Sequence, residues 1–221
     1  VVPAENSSEG AIGRTLDLLL TTPLTICGEV TLRVRQNLLR KTASLDGIRV
    51  VYSHAQSLGQ CQDWLTTHLP DAERVAVASN AEAARLASES PIAAAIAGDT
   101  AAAQYGLNIV TAGIEDVAGN TTRFLVIGKD AAAPSGKDKT SLAVYARNRP
   151  GSLLELIEPF ARLGVGLCKL ESRPARSGSW EYVFFIDLEG HREDVRVAEA
   201  IQEATGHALS LKVLGSYPTA S

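Results

Sequence analysis

The sequence predicts an α/β chain in two parts. Residues 1–128 form a domain of strands alternating with helices around a parallel-rich sheet, and residues 140–221 a smaller domain of ferredoxin-like β-α-β-β-α-β order. Three observations predict this. Short β-branched or alanine-rich apolar runs recur upstream, each followed by a stretch of helical period. A stretch with no apolar period, Gly128 to Lys139, separates the two patterns, and residues 129–139 are read as a linker. Downstream the periods run strand, helix, strand, strand, helix, strand.

Val1 to Asn6 reads as the end of a buried strand entering a loop. Ser7 and Ser8 are placed to cap a helix whose inner face is Ile12, Leu16 and Leu19. Val30, Leu32 and Val34 alternate with Thr31, Arg33 and Arg35, the period of a half-buried strand. Ile48 to Tyr52 is a strand, followed by a helix with Leu58, Cys61 and Leu65 on one face. Arg74 to Ala78 is a strand before the alanine-rich helix Asn80 to Ser88. Ala93 to Ala97 with Thr100 to Tyr105 repeats the unit, and Leu107 to Val110 and Thr122 to Ile127 are the last upstream strands. Downstream, strands are expected at Ser141–Ala146, Leu167–Ser172, Tyr182–Leu188 and Ala208–Leu214, and helices at Ser152–Leu163 and Val195–Thr205.

Composition removes several functions. With net charge −4 and no basic run, a nucleic-acid surface is not expected. No apolar stretch is long enough to span a bilayer. Three scattered cysteines and four histidines without ligand spacing argue against a disulfide framework or a metal site and for a reducing, cytoplasmic setting. Nucleotide-binding glycine loops, the serine-hydrolase elbow and the zinc-protease motif are absent. The chain lacks methionine and starts inside a strand-like run, so an upstream part is expected to have been removed.

What remains is polar chemistry at strand ends. Glu5-Asn6-Ser7-Ser8, Ser53-His54-Ala55-Gln56 and Ser79-Asn80 each end an apolar strand and open a helix. Ligands of open α/β sheets bind at such ends, and the free N–H groups of a helix start hold anions. Plain N-capping explains any one of the three; together they favour an anion-binding cleft. Arg123, in Asn120-Thr121-Thr122-Arg123-Phe124, could clamp a carboxylate or form a surface pair with an aspartate, and the residues alone leave both readings open. His54 reads as a helix-start residue rather than a base, and Trp180-Glu181-Tyr182 as strand packing.

These segments resemble prephenate dehydratases. V-P-A-E-N-S at Val2–Ser7, S-H-A-Q-S-L-G-Q-C at Ser53–Cys61, S-N-A-E-A-A at Ser79–Ala84 and N-T-T-R-F at Asn120–Phe124 are similar to that family's segments in order. N-R-P-G-S-L-L at Asn148–Leu154 and E-S-R-P at Glu171–Pro174 resemble the ACT domains joined to them, with Ser152 in place of the usual Ala, and L-G-S-Y-P at Leu214–Pro218 also fits. The family's G-P-x-G-T-[FY] stretch is missing, so the chain by itself is expected to be a poor catalyst.

The resemblance implies a periplasmic-binding-protein-like catalytic domain and the decarboxylating dehydration of prephenate to phenylpyruvate, without a cofactor. Thr122 is implied as donor to the leaving hydroxyl, and Arg123 as orienting a carboxylate or the strand of Thr122. Glu5, Asn6, Ser53, Gln60, Ser79 and Asn80 would bind substrate. The ACT domain would bind phenylalanine through Asn148, Pro150, Gly151, Ser152, Leu153 and Leu154, with Glu171, Ser172 and Arg173 facing it. Pro150-Gly151 would turn closely around the ligand, where a β-branched residue would crowd it. Self-association as a dimer or tetramer through this domain is implied. Arogenate dehydratase and a non-catalytic amino-acid sensor are the alternatives.

Overall fold

A computed structural model describes residues 1–175 and 182–220. In chain order the elements are β1 (Val2–Asn6), β2 (Gly10–Ala11), α1 (Gly13–Thr21), β3 (Thr25–Arg33), β4 (Asn37–Arg40), β5 (Val50–Ser53), α2 (Ala55–Gln60), α3 (Gln62–His68), β6 (Glu73–Ala76), α4 (Asn80–Glu89), β7 (Ala93–Ala97), α5 (Asp99–Tyr105), β8 (Asn108–Thr111), β9 (Thr121–Gly128), β10 (Asp138–Tyr145), α6 (Ser152–Arg162), β11 (Leu167–Pro174), β12 (Tyr182–Glu189), α7 (Val195–His207) and β13 (Ser210–Pro218). The chain divides into two compact units, residues 33–121 and residues 1–32 with 122–221.

The unit of residues 33–121 is built on a five-stranded sheet in the order β6-β5-β7-β4-β8. β5 runs parallel to β6 and β7, whereas β4 is antiparallel to both β7 and β8. The sheet is therefore mixed, with its parallel half where strand-helix alternation predicts it. The sequence reading missed β4. Only Leu38 and Leu39 are apolar there, yet all four residues are buried. Arg40 is tolerated inside because its guanidinium donates to backbone carbonyls of Ser44, Asp46 and Pro91. One face of the sheet packs Leu38, Val51, Ala94 and Ile96 against Cys61 and Leu65. The other packs Leu39, Ala93, Ala95 and Ala97 against Ala83, Ala84 and Ala87 of α4, so small side chains let helix and sheet approach closely. The single helix expected through Cys61 is two, because Cys61 interrupts it.

The second unit holds two four-stranded sheets, β2-β1-β9-β3 and β11-β12-β10-β13. The latter is fully antiparallel and carries α6 and α7, the expected β-α-β-β-α-β order. Leu142, Val144, Ile186 and Leu188 pack under Leu156, Phe160, Val197 and Ala200 of the helices. The opposite face, with Ala143, Val183, Phe185 and Tyr217, is covered by Ala4, Leu16, Leu19, Ile26 and Leu125. Gly215 makes this layering possible: a Cβ there would lie 2.1 Å from the carbonyl oxygen of Ile26. Lys212 Nζ donates to the carbonyls of Leu19 (2.9 Å), Leu20 (3.1 Å) and Thr22 (2.8 Å), closing the C-terminal end of α1 with a cation.

Three expectations at the start of the chain are corrected. Ser7 and Ser8 cap no helix; α1 begins at Gly13, with Ile12 in the capping position. Asn6 Oδ1 instead accepts from the amides of Ser8 (3.0 Å) and Glu9 (3.2 Å), and the turn it makes sends β2 back against β1. In β3 the buried residue is Ile26, while Val30 and Leu32 are exposed, so alternation there marks a strand but not a buried face.

Candidate functional site

In the unit of residues 33–121, the end of β5 and the starts of α2 and α4 converge on Asn80. Its Oδ1 lies 2.9 Å from the hydroxyl of the fully buried Ser53 and accepts the backbone N–H of His54 at 3.1 Å. Its Nδ2 donates to Ser57 Oγ at 3.0 Å. These contacts fix the orientation of the amide. Gln36 continues the network, its Nε2 donating to Ser57 Oγ (3.2 Å) and Gln60 Oε1 (3.0 Å) and its backbone N–H to Glu115 (3.0 Å). Among the described residues Gln36 Oε1, though buried, accepts no hydrogen bond. The result is a set of amide and hydroxyl groups at two helix starts, with the Glu115 carboxylate joined to it through the Gln36 amide.

Ser53, Gln60 and Asn80 are thus brought together as expected, and Ser57 and Gln36 join them unforeseen. Ser57 lies one helical turn past Ser53, a signal that was legible; nothing in the sequence pointed to Gln36. Ser79 lies beside them in sequence, but its hydroxyl caps α4 by accepting from Glu82 N at 3.1 Å. His54 is exposed, and its Nδ1 accepts from Gln56 N at 3.4 Å, the helix-start role expected of it. Asp116 caps α3 through the amides of Asp63 and Trp64, both at 2.9 Å.

In the second unit, β1 and β9 run antiparallel with Asn6 opposite Thr122 and Glu5 opposite Arg123. Because Asn6 Oδ1 is held by the turn, its Nδ2 is directed at Thr122 Oγ1, to which it donates at 3.0 Å. Thr122 is therefore an acceptor in that bond and keeps its own proton for another partner. Arg123 does not present its guanidinium to a free carboxylate. Nε donates to Glu29 (2.6 Å), one terminal nitrogen to Asp187 (2.6 Å) and the other to the Tyr217 hydroxyl (2.8 Å). Burial opposes the charge on Arg123, but Asp187, Tyr217 and Glu29 outweigh it and hold the guanidinium firmly protonated. Burial likewise opposes ionisation of Glu29, yet Lys139, the Ala220 amide and Arg123 keep its carboxyl below the usual range. Glu5 pairs with Lys169 at 2.8 Å.

Asn148, Pro150 and Gly151 form an exposed turn ahead of α6, with Leu154 exposed and Ser152 and Leu153 half-buried. Gly151 has φ 82°, and a Cβ on it would meet no atom of the described residues within 4 Å, so within the chain it is left-handed backbone that favours glycine. Arg149 and Glu155 pair across this turn. Glu171, Ser172 and Arg173 do not form one surface. Glu171 and Arg173 lie opposite Phe185 and Val183, on the sheet face covered by α1, and Arg173 meets Asp17 of α1 at 3.3 Å. Ser172 points to the other face, opposite Phe184. Trp180 and Glu181 lie outside the described residues.

Residues 1–132 match the family model for prephenate dehydratase, and residues 140–206 that for the ACT domain. The chain belongs to the prephenate dehydratase family. It is 56% identical to a bifunctional chorismate mutase/prephenate dehydratase of Neisseria gonorrhoeae, over all of this chain and 62% of that protein. It spans about three fifths of the length of the first such curated relatives, 62% and 60%. Among solved structures, it resembles a prephenate dehydratase in complex with L-Phe from Arthrobacter aurescens (TM-score 0.85, 33% identity, 98% of this chain and 73% of that one). It also resembles GqqA, described as a novel type of quorum-quenching acylase (TM-score 0.87, 29% identity, 100% and 81%).

As a prephenate dehydratase family member the chain joins a mixed α/β part to an ACT domain, the fold class expected. Within Asn120–Phe124, Thr122 and Arg123 are held from different sides. Thr122 is held by β1, and Arg123 is held by Glu29, Asp187 and Tyr217; of these the sequence reading quoted only Tyr217, within L-G-S-Y-P, and gave it no role.

Proposed function

We propose that this chain carries the prephenate dehydratase reaction, in which a ring carboxylate leaves as carbon dioxide and the ring hydroxyl leaves as water. The electron pair of the breaking carbon–carbon bond completes the aromatic ring as the carbon–oxygen bond breaks. The departing oxygen needs one proton, and the carboxylates need holding while that happens. The observation that carries the reading is the Asn6–Thr122 hydrogen bond (3.0 Å). A donor on Thr122 Oγ1 polarises the hydroxyl and leaves its proton for the leaving oxygen, with the proton replaced through solvent. Ser53, Ser57 and Asn80, with the N–H groups at the starts of α2 and α4, suit the substrate carboxylates without a cation. Gln60 extends that surface, and Ser79 serves it indirectly by fixing the start of α4. Glu5 and Arg123 act through their strands.

The relative solved with L-Phe supports phenylalanine as a ligand of this chain. The same reading puts that ligand in the ACT domain, at the turn Asn148–Gly151 and the start of α6, and includes self-association through that domain. The free cysteines Cys27, Cys61 and Cys168 support a reducing, cytoplasmic setting, and no helix among the described residues is long and apolar enough to cross a membrane.

Phenylpyruvate formation from prephenate tests the proposal. In the full-length protein, Thr122→Ala should reduce turnover by about 10²-fold or more, with the thermal midpoint little changed, and Thr122→Ser should recover most of it. Turnover of Thr122→Ala near that of the parent protein would remove Thr122 from the reaction.

A further inference from the structure

Thr122 and Arg123 are consecutive on β9, so their side chains leave opposite faces of the strand. Their cross-strand partners on β1, Asn6 and Glu5, do the same. On one face Asn6 holds the Thr122 hydroxyl at 3.0 Å. On the other, Arg123 and Glu5 are both fixed by the ACT sheet. Arg123 reaches Asp187 on β12 at 2.6 Å and Tyr217 on β13 at 2.8 Å, and Glu5 reaches Lys169 on β11 at 2.8 Å. Behind them Ser141 of β10 lies 2.6 Å from both Asp187 Oδ1 and the Tyr217 hydroxyl. Glu29 closes the set, bonded to Arg123 at 2.6 Å and to Lys139 at 2.8 Å.

Asp187, Ser141 and Tyr217 are 7%, 4% and 0% exposed. Buried ion pairs of this kind are a poor source of stability, since well-packed apolar side chains of equal volume serve as well or better. What they fix is geometry: a guanidinium with three directed partners permits one placement of the strand that carries it. The placement fixed here is that of β9 one residue from the Thr122 hydroxyl. All four ACT strands contribute, so contiguous hydrogen bonds and ion pairs link that sheet to the β1–β9 pair.

We infer that Asp187, Tyr217 and Lys169 are positioning residues for the reaction, acting through Arg123 and Glu5, and that these same contacts carry the state of the ACT domain to Thr122. The inference rests on the role of Thr122 proposed above. In the full-length protein, Asp187→Asn and Tyr217→Phe should each lower kcat at least tenfold while KM for prephenate changes less than threefold. Lys169→Gln should lower it in the same direction. Phenylalanine should still bind each variant within threefold of the parent affinity by calorimetry, but its effect on turnover should fall at least threefold. A purely structural role would lower the thermal midpoint and leave both kcat per folded molecule and the phenylalanine response intact, which overturns the inference. If Asp187→Asn does not fold, Tyr217→Phe decides. Hydrogen exchange over residues 121–128, with residues 142–144 as reference, separates the two proposals. Exchange at least tenfold faster in the variants supports the coupling even in a protein that forms no phenylpyruvate, and parent-like protection there overturns it.

Discussion

Replacing Asn80 with Asp changes one atom and one charge at the centre of the polar network. The carboxylate keeps the acceptor that Asn80 offers to Ser53 and His54. It loses the donation to Ser57, but the Ser57 hydroxyl can turn and donate in its place. Loss of one such bond is worth about 1 kcal/mol. A new anion in the first turn of α4 recovers about 0.3–1 kcal/mol from the helix dipole. Stability should therefore change by no more than about 1 kcal/mol. Substrate binding should suffer far more. A substrate carboxylate at a helix start would come within roughly 5 Å of the new charge, and like charges at that distance repel by about 3 kcal/mol at an effective dielectric constant near 20. Discounted for solvent at an open site, KM for prephenate at pH 7 should rise at least about tenfold and at most about 200-fold. Asn80→Ala should behave the other way, losing about 1–3 kcal/mol of stability because it strands the His54 amide and removes the donor to Ser57, while the Ser53 hydroxyl keeps the Ile96 carbonyl. Steady-state kinetics with urea unfolding of both variants checks this. A folded Asn80→Asp protein with unchanged KM would show that no substrate carboxylate is held at Asn80.

The glycine turn makes a second prediction. Because Gly151 needs left-handed backbone and has open space around its Cα, Gly151→Asn should keep phenylalanine binding within about tenfold, whereas Gly151→Val should lose it, with a conformational cost of at least about 1–2 kcal/mol. Calorimetry that finds equal binding in Asn and Val variants would refute that account. The buried thiol makes a third. Burial first, then the charges of Asp116 and Glu115, push Cys61 from an ordinary 9.0 up to about 12. The folded chain keeps this proton where the unfolded chain has lost it, so stability should be complete below about pH 9 and fall as pH rises towards 12, by up to about 4 kcal/mol. Urea midpoints followed across that range should fall less steeply in Cys61→Ala than in the parent protein, and equal slopes would remove Cys61 as the cause.

Long amphipathic periods were the most legible part of the chain. The ACT elements, α4 and β7 sit where apolar spacing places them: α4 and the ACT helices bury one face each, and β7 is an apolar run buried on both faces. β4 escaped because its burial depends on Arg40 finding three carbonyls from residues 44, 46 and 91, a tertiary fact with no local signature. The start of α1 escaped for a local reason. Asn6, not Ser7 or Ser8, takes the free amides, and a short antiparallel return then precedes the helix. Within the polar network, strand-end residues were visible because they cap helices. Gln36 was not, since it enters from a segment that reads as polar loop.

The misreading of Glu171, Ser172 and Arg173 as one surface has a single physical source, the period of two. A motif is written as consecutive letters, and it is natural to give consecutive letters one task. On a strand they face apart. Thr122 and Arg123 illustrate this: one side chain is held by Asn6, the other by Glu29, Asp187 and Tyr217. Glu171, Ser172 and Arg173 repeat it on β11, where Arg173 turns to Asp17 of α1 and Ser172 to the helix-bearing face. Both motifs thus put one residue into the layer between α1, β1, β9 and the ACT sheet and its neighbour away from it. A substitution at the inward residue should then alter turnover or regulation without touching a ligand, and a substitution at the outward residue should alter binding itself. Arg123 and Arg173 belong to the first class, Thr122 and Ser172 to the second.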